Sequence, residues 1–287
     1  MVITEEIIKN IWDDLNEHLI QCLDAETQDV NLLEEDKSYY SMKNPADLEF
    51  SDILKRILDS LRNRRNVGDT IPETNDSSRN DGLNQVFGDY QPRRLSTLYT
   101  SWEQILSALA EHYLQEGKEI QFQVEHHGGY WNIYSQGAKN AIDFLSTYNT
   151  PIELVDFVSR GLNGEDDQVV LDFVKNEIAS RIKGMHVALA SDFLKEIGFK
   201  QIGKPDVWII KIFLELNFIA PPSKGIDEVA FKKIREIARI VDVYPVIVDK
   251  VFWLLGTGDF DRAHDAKIHI DTKWREFVAE MKFRYNI

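Results

Sequence analysis

The chain of 287 residues has a single cysteine, Cys22. One thiol excludes an internal disulfide, and it excludes an iron–sulfur cluster held by four cysteines. Long apolar runs are also missing: Lys211 and Glu215 interrupt the most hydrophobic helical pattern, so no membrane span is expected. No charged segment followed by an apolar one opens the sequence, and a soluble protein of a reducing, cytoplasmic compartment is the expectation. Positive charge is scarce. Lys and Arg number 33 against 48 Asp and Glu, a net charge of −15 that repels a polyanion and makes long-range steering toward one poor. Zinc spacings of the HExxH or CxxC type are absent. His126-His127 are adjacent residues suited to a turn, and His264, Asp265, His269 and Asp271 form only a loose cluster, so no metal site is expected. Gly256-Thr257-Gly258 lacks the Lys and hydroxyl residue of a phosphate loop, and no elbow motif surrounds any serine. No repeat of fixed period and no sustained heptad run occurs.

What the chain does contain is helical periodicity. With 43% hydrophobic residues it can bury one large core or two smaller ones. Ile7, Ile8, Ile11, Trp12, Leu15 and Leu19 describe an amphipathic first helix. A second runs from Phe50 to Leu61, with Arg62, Arg64 and Arg65 at its C-terminal end, where cations suit the dipole. Residues 67–93 are rich in Gly, Asp, Asn, Ser and Pro and read as a long loop, disordered or functional. Leu95 to Leu114 reads as one helix. Ile120, Phe122 and Val124 then alternate with polar residues, and His126-His127-Gly128-Gly129 separates them from Tyr130–Tyr134, which predicts a β-hairpin. Ser135-Gln136-Gly137 introduces a helix over Ala138 to Thr147. Beyond a break at Pro221–Gly225, Val229 to Val241 and Val246 to Leu255 read as helices, with Pro245 at a helix start.

The stretch from Ile182 to Phe218 carries the most chemistry. Val169, Val170, Phe173, Val174, Ile178 and Ile182 form one helical face that stops at Lys183-Gly184, since glycine relieves the penalty of a left-handed cap. Ala188, Leu189, Phe193, Leu194 and Ile197 form the face of the next helix, which Gly198 ends. The amides opening that helix, around His186 to Ala188, lack intrahelical partners and sit at the positive end of a dipole, so they suit a phosphate oxygen. A third helix starts at Lys204-Pro205-Asp206, and Val207, Ile210, Phe213, Leu214 and Phe218 line its buried face. Asp206 there is a good N-cap, stabilised as an anion by the dipole. On spacing alone that structural role is sufficient.

Lys183-Gly184-Met185-His186-Val187-Ala188-Leu189-Ala190-Ser191, a following Phe-Leu pair, and Pro205-Asp206-Val207-Trp208-Ile209 together resemble the helix-hairpin-helix (HhH-GPD) DNA glycosylases. The resemblance is good over about 40 residues and loose over residues 130–260. It implies a mainly α, two-lobed helical fold with a small β-hairpin: an N-terminal helical region 1–130, a hairpin-bearing catalytic lobe 131–220, and C-terminal helices 221–287 packing with the N-terminal region. It makes Asp206 the catalytic carboxylate and Lys183, Gly184, His186 and Ala188 the backbone-binding hairpin. Pocket candidates are Trp131, Tyr130, Gln136, Trp102 and Trp253, each of which also suits a packing role.

Two departures stand out. His186 occupies the place of the second hairpin glycine, and Ala188 that of the lysine that forms a Schiff base in bifunctional members; Ala188 lies 18 residues before Asp206, a spacing usual in the family. Without that amine, a monofunctional hydrolase is expected. Lys183, Lys195 and Lys211 are expected to contact phosphate or solvent. Arg181 to Lys211 holds six basic against three acidic residues, a local excess of three on an acidic body. The partner implied is duplex DNA carrying a modified base, oxidised, alkylated or a phage-type modified cytosine, in repair or anti-phage defence, with the protein a monomer and no membrane. No cofactor is implied beyond a structural monovalent cation at the hairpin. The rival readings are a non-catalytic hairpin DNA-binding protein and an acidic all-α protein-interaction module.

Overall fold

The computed structural model describes residues 3–63, 70–75, 81–221, 224–260 and 268–287. Arg64, Arg65, parts of the 67–93 stretch (67–69 and 76–80), Pro222, Ser223, His264 and Asp265 lie outside the described residues. The fold is mainly α. In chain order the α-helices are α1 Glu5–Glu26, α2 Leu32–Met42, α3 Phe50–Arg62, α4 Asp81–Phe87, α5 Pro92–Leu98, α6 Trp102–Tyr113, α7 Tyr130–Ser146 and α8 Pro151–Leu162. There follow α9 Asp167–Phe173, α10 Val187–Glu196, α11 Val207–Glu215, α12 Ile226–Ile240, α13 Pro245–Thr257 and α14 Trp274–Tyr285. Two short strands, β1 Asp259–Phe260 and β2 Ile268–His269, pair antiparallel with Asp259 opposite His269.

The chain divides into two compact units. The first comprises Met1–Lys43, Asp166–Leu171 and Gly198–Ile287, so residues from both ends build one core. Helix α1 buries Ile8, Ile11, Trp12, Leu15, Leu19 and Leu23 at three- and four-residue spacing, after Thr4 accepts a capping bond from the Ile7 amide. Full burial of such side chains contributes roughly 1.5–3 kcal/mol each before entropic costs. Helix α13 is the centre of the unit, buried at Val248, Val251, Phe252 and Leu255. Phe252 meets Trp12 at 6.3 Å and stands edge-on to Phe213 of α11 at 5.0 Å. Within this core Lys250 and Asp36, 3% and 0% exposed, form an ion pair of 3.2 Å. Breaking such a pair is costly because the remaining charge stays buried.

The second unit, Asn44–Glu165 with Asp172–Ile197, is organised around α7. Helices α3, α5 and α6 pack against it, and α10 packs on α3. This unit takes in residues 44–130, which the sequence ranges had grouped with the N-terminal region.

Three local expectations are corrected. The hairpin read at 120–134 is not β: Glu119–Phe122 is a 3₁₀ turn and Tyr130 already begins α7, so Ser135-Gln136-Gly137 lie mid-helix. Trp131, Tyr134, Ala138, Ala141 and Leu145 recur at helical spacing and bury one face, which outweighs the strand preference of the aromatics. The Leu95–Leu114 helix is two helices, because Ser101 and Gln104 form a capping box that starts α6 afresh. The 67–93 stretch is not one loop, since it contains α4 and the start of α5.

Candidate active site

The turn between α9 and α10 is built by one glycine and seated by another. Beyond α9 the chain continues through a π turn, Val174–Ile178, and a 3₁₀ turn, Ala179–Arg181. The Met185 amide then donates to the Ile182 carbonyl at 3.0 Å, and Gly184 between them has φ +87°, where a side chain would be strained. The Lys183 amide donates to Asn140 Oδ1 at 3.1 Å. Its carbonyl passes α7 at Gly137, where a Cβ would lie 2.6 Å from it. Asn140 and Gly137 thus hold the turn against α7. Gly137 reads in the sequence as preceding a helix rather than lying inside one, and gave no sign of this contact.

His186 takes the extended N-cap position of α10, φ −134° and ψ −180°, and its side chain makes no capping bond. Lys183 and His186 are exposed, whereas Ala188 is 8% exposed in the first turn. Its methyl group offers no amine. Farther along α10, Asp192 is buried and accepts from Ser60 Oγ at 3.1 Å and Asn63 Nδ2 at 3.5 Å. Lys195 is buried as well, at 8% exposure. The solvent or phosphate contact expected of Lys195 is therefore corrected: it is one of a contiguous run of buried residues on α10, Val187 to Lys195, so its position on the helix withdraws it from the surface.

The start of α11 has a different design. In the loop before it, a Cβ on Gly203 would meet the Pro245 carbonyl at 2.8 Å and Ile234 Cγ2 at 2.6 Å, so only glycine fits there. Asp249, 1% exposed, accepts from the Lys204 amide at 2.8 Å. These contacts fix the backbone that delivers Asp206. The Asp206 side chain caps α11 through Oδ1, which accepts from the amides of Trp208 at 2.9 Å and Ile209 at 3.0 Å. It remains half-exposed and is followed by Val207 at 72% exposure, while Ile209, Ile212 and Phe213 anchor the helix in the core. The result is a carboxylate of fixed orientation beside solvent. Such a group can stabilise positive charge developing on a substrate and orient a water molecule.

The aromatic candidates divide by position. Trp131 is 2% exposed and stacks with Tyr113 at 5.1 Å and Phe122 at 5.2 Å, a packing role. Tyr130, at 45% exposure, opens α7; Gln136 on that helix and Trp102 at the start of α6 are half-buried. These four residues belong to the second unit. Trp253 is partly buried against the core of the first unit, with Lys250 Nζ 4.5 Å from its ring centre. Sequence reasoning did not single out Trp208 and Trp274, whose rings stand 6.2 Å apart near Lys211. The Trp208-to-Lys211 spacing was visible, but Trp274 lies over sixty residues away.

Among the described residues no group of three or more His, Cys, Asp or Glu side chains could hold a metal ion. No described helix is long and apolar enough to cross a membrane. No protein-family model matches the chain, and no curated protein matches it. Among solved structures the chain is similar to the 8-oxoguanine glycosylase/lyase of Methanocaldococcus jannaschii in complex with a 15mer DNA containing 8-oxoguanine. Identity is 15%, coverage 84% of this chain and 96% of that one, and the TM-score 0.46. A likeness of that size is too slight to assign chemistry.

Proposed function

We propose that the chain is a monofunctional DNA N-glycosylase of the helix-hairpin-helix type, releasing a modified base from duplex DNA. The observation that carries this reading is Asp206: a half-exposed carboxylate, locked by two backbone amides at a helix start, one helix beyond a tight turn at a positive-φ glycine. Both features fall on the segments whose sequence resembles that superfamily.

The mechanism follows from the groups present. The amides opening α10 and the exposed Lys183 and His186 hold the DNA backbone, the amides needing no basic side chain to bind phosphate. The target nucleotide leaves the stack at a cost of a few kcal/mol, recovered in a pocket. As the bond from C1′ to the base breaks, positive charge develops on the sugar, and the Asp206 carboxylate stabilises it and orients the attacking water. Oδ1 is engaged by the helix amides, so the carboxylate's orientation is set before substrate arrives. Ala188 supplies no nucleophilic amine, and the product is an intact abasic site.

The test is a panel of duplexes carrying oxidised guanine, alkylated purines or modified cytosines, scored for alkali-sensitive abasic sites. Cleavage that appears only after alkali, with no borohydride-trapped adduct, is expected for at least one base. No release across the panel would leave the non-catalytic hairpin DNA-binding reading in its place. An adduct trapped by borohydride would contradict the monofunctional assignment.

A further inference from the structure

On the first unit, α11 and α14 enclose an open groove of about 600 Å³ lined by Lys211, Glu215, Trp274, Arg275, Val278, Ala279 and Lys282. Its lining carries three cations and one carboxylate. Exposed cations elsewhere are commonly neutralised at close range, as in Arg181–Glu177 at 2.5 Å, Arg94–Asp89 at 2.8 Å and Arg239–Asp167 at 2.7 Å. In the groove Lys211 and Arg275 are held by aromatic rings instead. Lys211 Nζ lies 5.1 Å from the Trp208 ring centre and 4.9 Å from that of Trp274, and the Arg275 guanidinium lies 4.7 Å from the Trp274 centre. A ring orders a cation without cancelling its charge. Among the described residues no carboxylate pairs with Lys211 or Arg275, and Lys282 reaches Glu215 only at 3.9 Å. Three positive charges, two of them held over rings, thus line the groove with one carboxylate, on a chain of net charge −15.

We infer that this groove is a second nucleic-acid contact, taking the phosphodiester backbone of duplex DNA independently of sequence. The inference rests on the glycosylase reading for its choice of DNA as the anion. Lys211 stands five residues after Asp206, roughly 7.5 Å along the helix axis, which is about two nucleotide rises along a duplex strand. The groove and the proposed catalytic carboxylate thus share one helix, α11, within the span of a few nucleotides. Val278 and Ala279 give it an apolar floor suited to sugar carbons, and its open form suits a strand lying across it.

The experiment measures binding of an unmodified duplex by fluorescence anisotropy across a salt series, for the wild type, the triple variant Lys211→Gln/Arg275→Gln/Lys282→Gln, and Glu215→Gln. Each phosphate contact contributes about 0.9 to the slope of log K against log salt, so the triple variant should flatten it by roughly 2 to 3. Glu215→Gln, which frees Lys282, should tighten low-salt binding several-fold, and this arm decides if the triple variant does not fold by circular dichroism. An unchanged slope in a folded triple variant, or no tightening by Glu215→Gln, overturns the inference. So does loss of inorganic phosphate or mononucleotide binding with the duplex slope intact, which would assign the groove to a free anion. Base release is scored separately: a flattened slope without excision retains the groove and fails the enzyme reading, and excision with an unchanged slope does the reverse.

Discussion

The starts of α10 and α11 solve one problem in opposite ways. Every helix leaves its first amides without intrahelical partners. At α11 the protein fills two of them with its own Asp206 carboxylate, whereas at α10 the His186 side chain makes no such bond. The first solution presents a negative group of fixed orientation, suited to developing positive charge. The second leaves backbone donors and a positive dipole end, suited to an anion. The difference between the two starts is a choice of one N-cap residue at each helix, Asp206 or His186.

Asp206 carries the largest expected effect. Asn caps a helix about as well as Asp, so Asp206→Asn should keep its thermal midpoint while base release under single-turnover conditions falls by at least about 10²-fold. At the α10 turn the effects are on stability. Gly137→Ala would set a methyl group 2.6 Å from the Lys183 carbonyl and 2.8 Å from Leu61 Cδ1. It should cost about 1–3 kcal/mol in urea denaturation and weaken duplex binding by moving the turn. His186→Asn sharpens the comparison by making α10 resemble α11: a side-chain cap should add about 0.5–1 kcal/mol of stability while duplex affinity falls, because the new cap competes with phosphate.

The smallest effect concerns Asp167, which binds Arg235 at 2.7 Å and Arg239 at 2.7 and 2.8 Å in the first unit. Burial raises its proton affinity, but the hydrogen bonds and charges of Arg239 and Arg235 outweigh this and hold its carboxyl below the ordinary 3.8. The unfolded chain therefore takes up the proton first. Stability from Asp167 is intact above about pH 4 and is lost as pH falls through the lower, folded value. The stability difference between wild type and Asp167→Asn should be present at pH 6 and shrink in that acid window, as read by denaturation at several pH values.

Legibility in the sequence followed the range of the determining contacts. The face of α1, the stop at Gly184, the Asp206 cap and Pro245 at the start of α13 all arise from neighbours within a turn or two, and all were readable. The 120–134 segment misled because Ile120, Phe122 and Val124 alternate over too few residues to distinguish a strand from a turn. The stacking of Tyr113 and Phe122 on Trp131, which favours the helix, is a tertiary contact. Lys195 looked like a surface cation because charge predicts exposure; from Val187 to Lys195 α10 is covered on every face, which only the rest of its unit determines. The α11–α14 groove joins Lys211 to Trp274, and no local spacing announces that pairing.

The most direct test compares base release by the wild type and Asp206→Asn on the duplex the wild type cleaves best, at enzyme excess and equal DNA occupancy. Alkali-sensitive abasic sites are expected from the wild type, with a rate at least about 10²-fold lower from a variant that folds and binds equally well. Undiminished release by Asp206→Asn would contradict the catalytic role of Asp206.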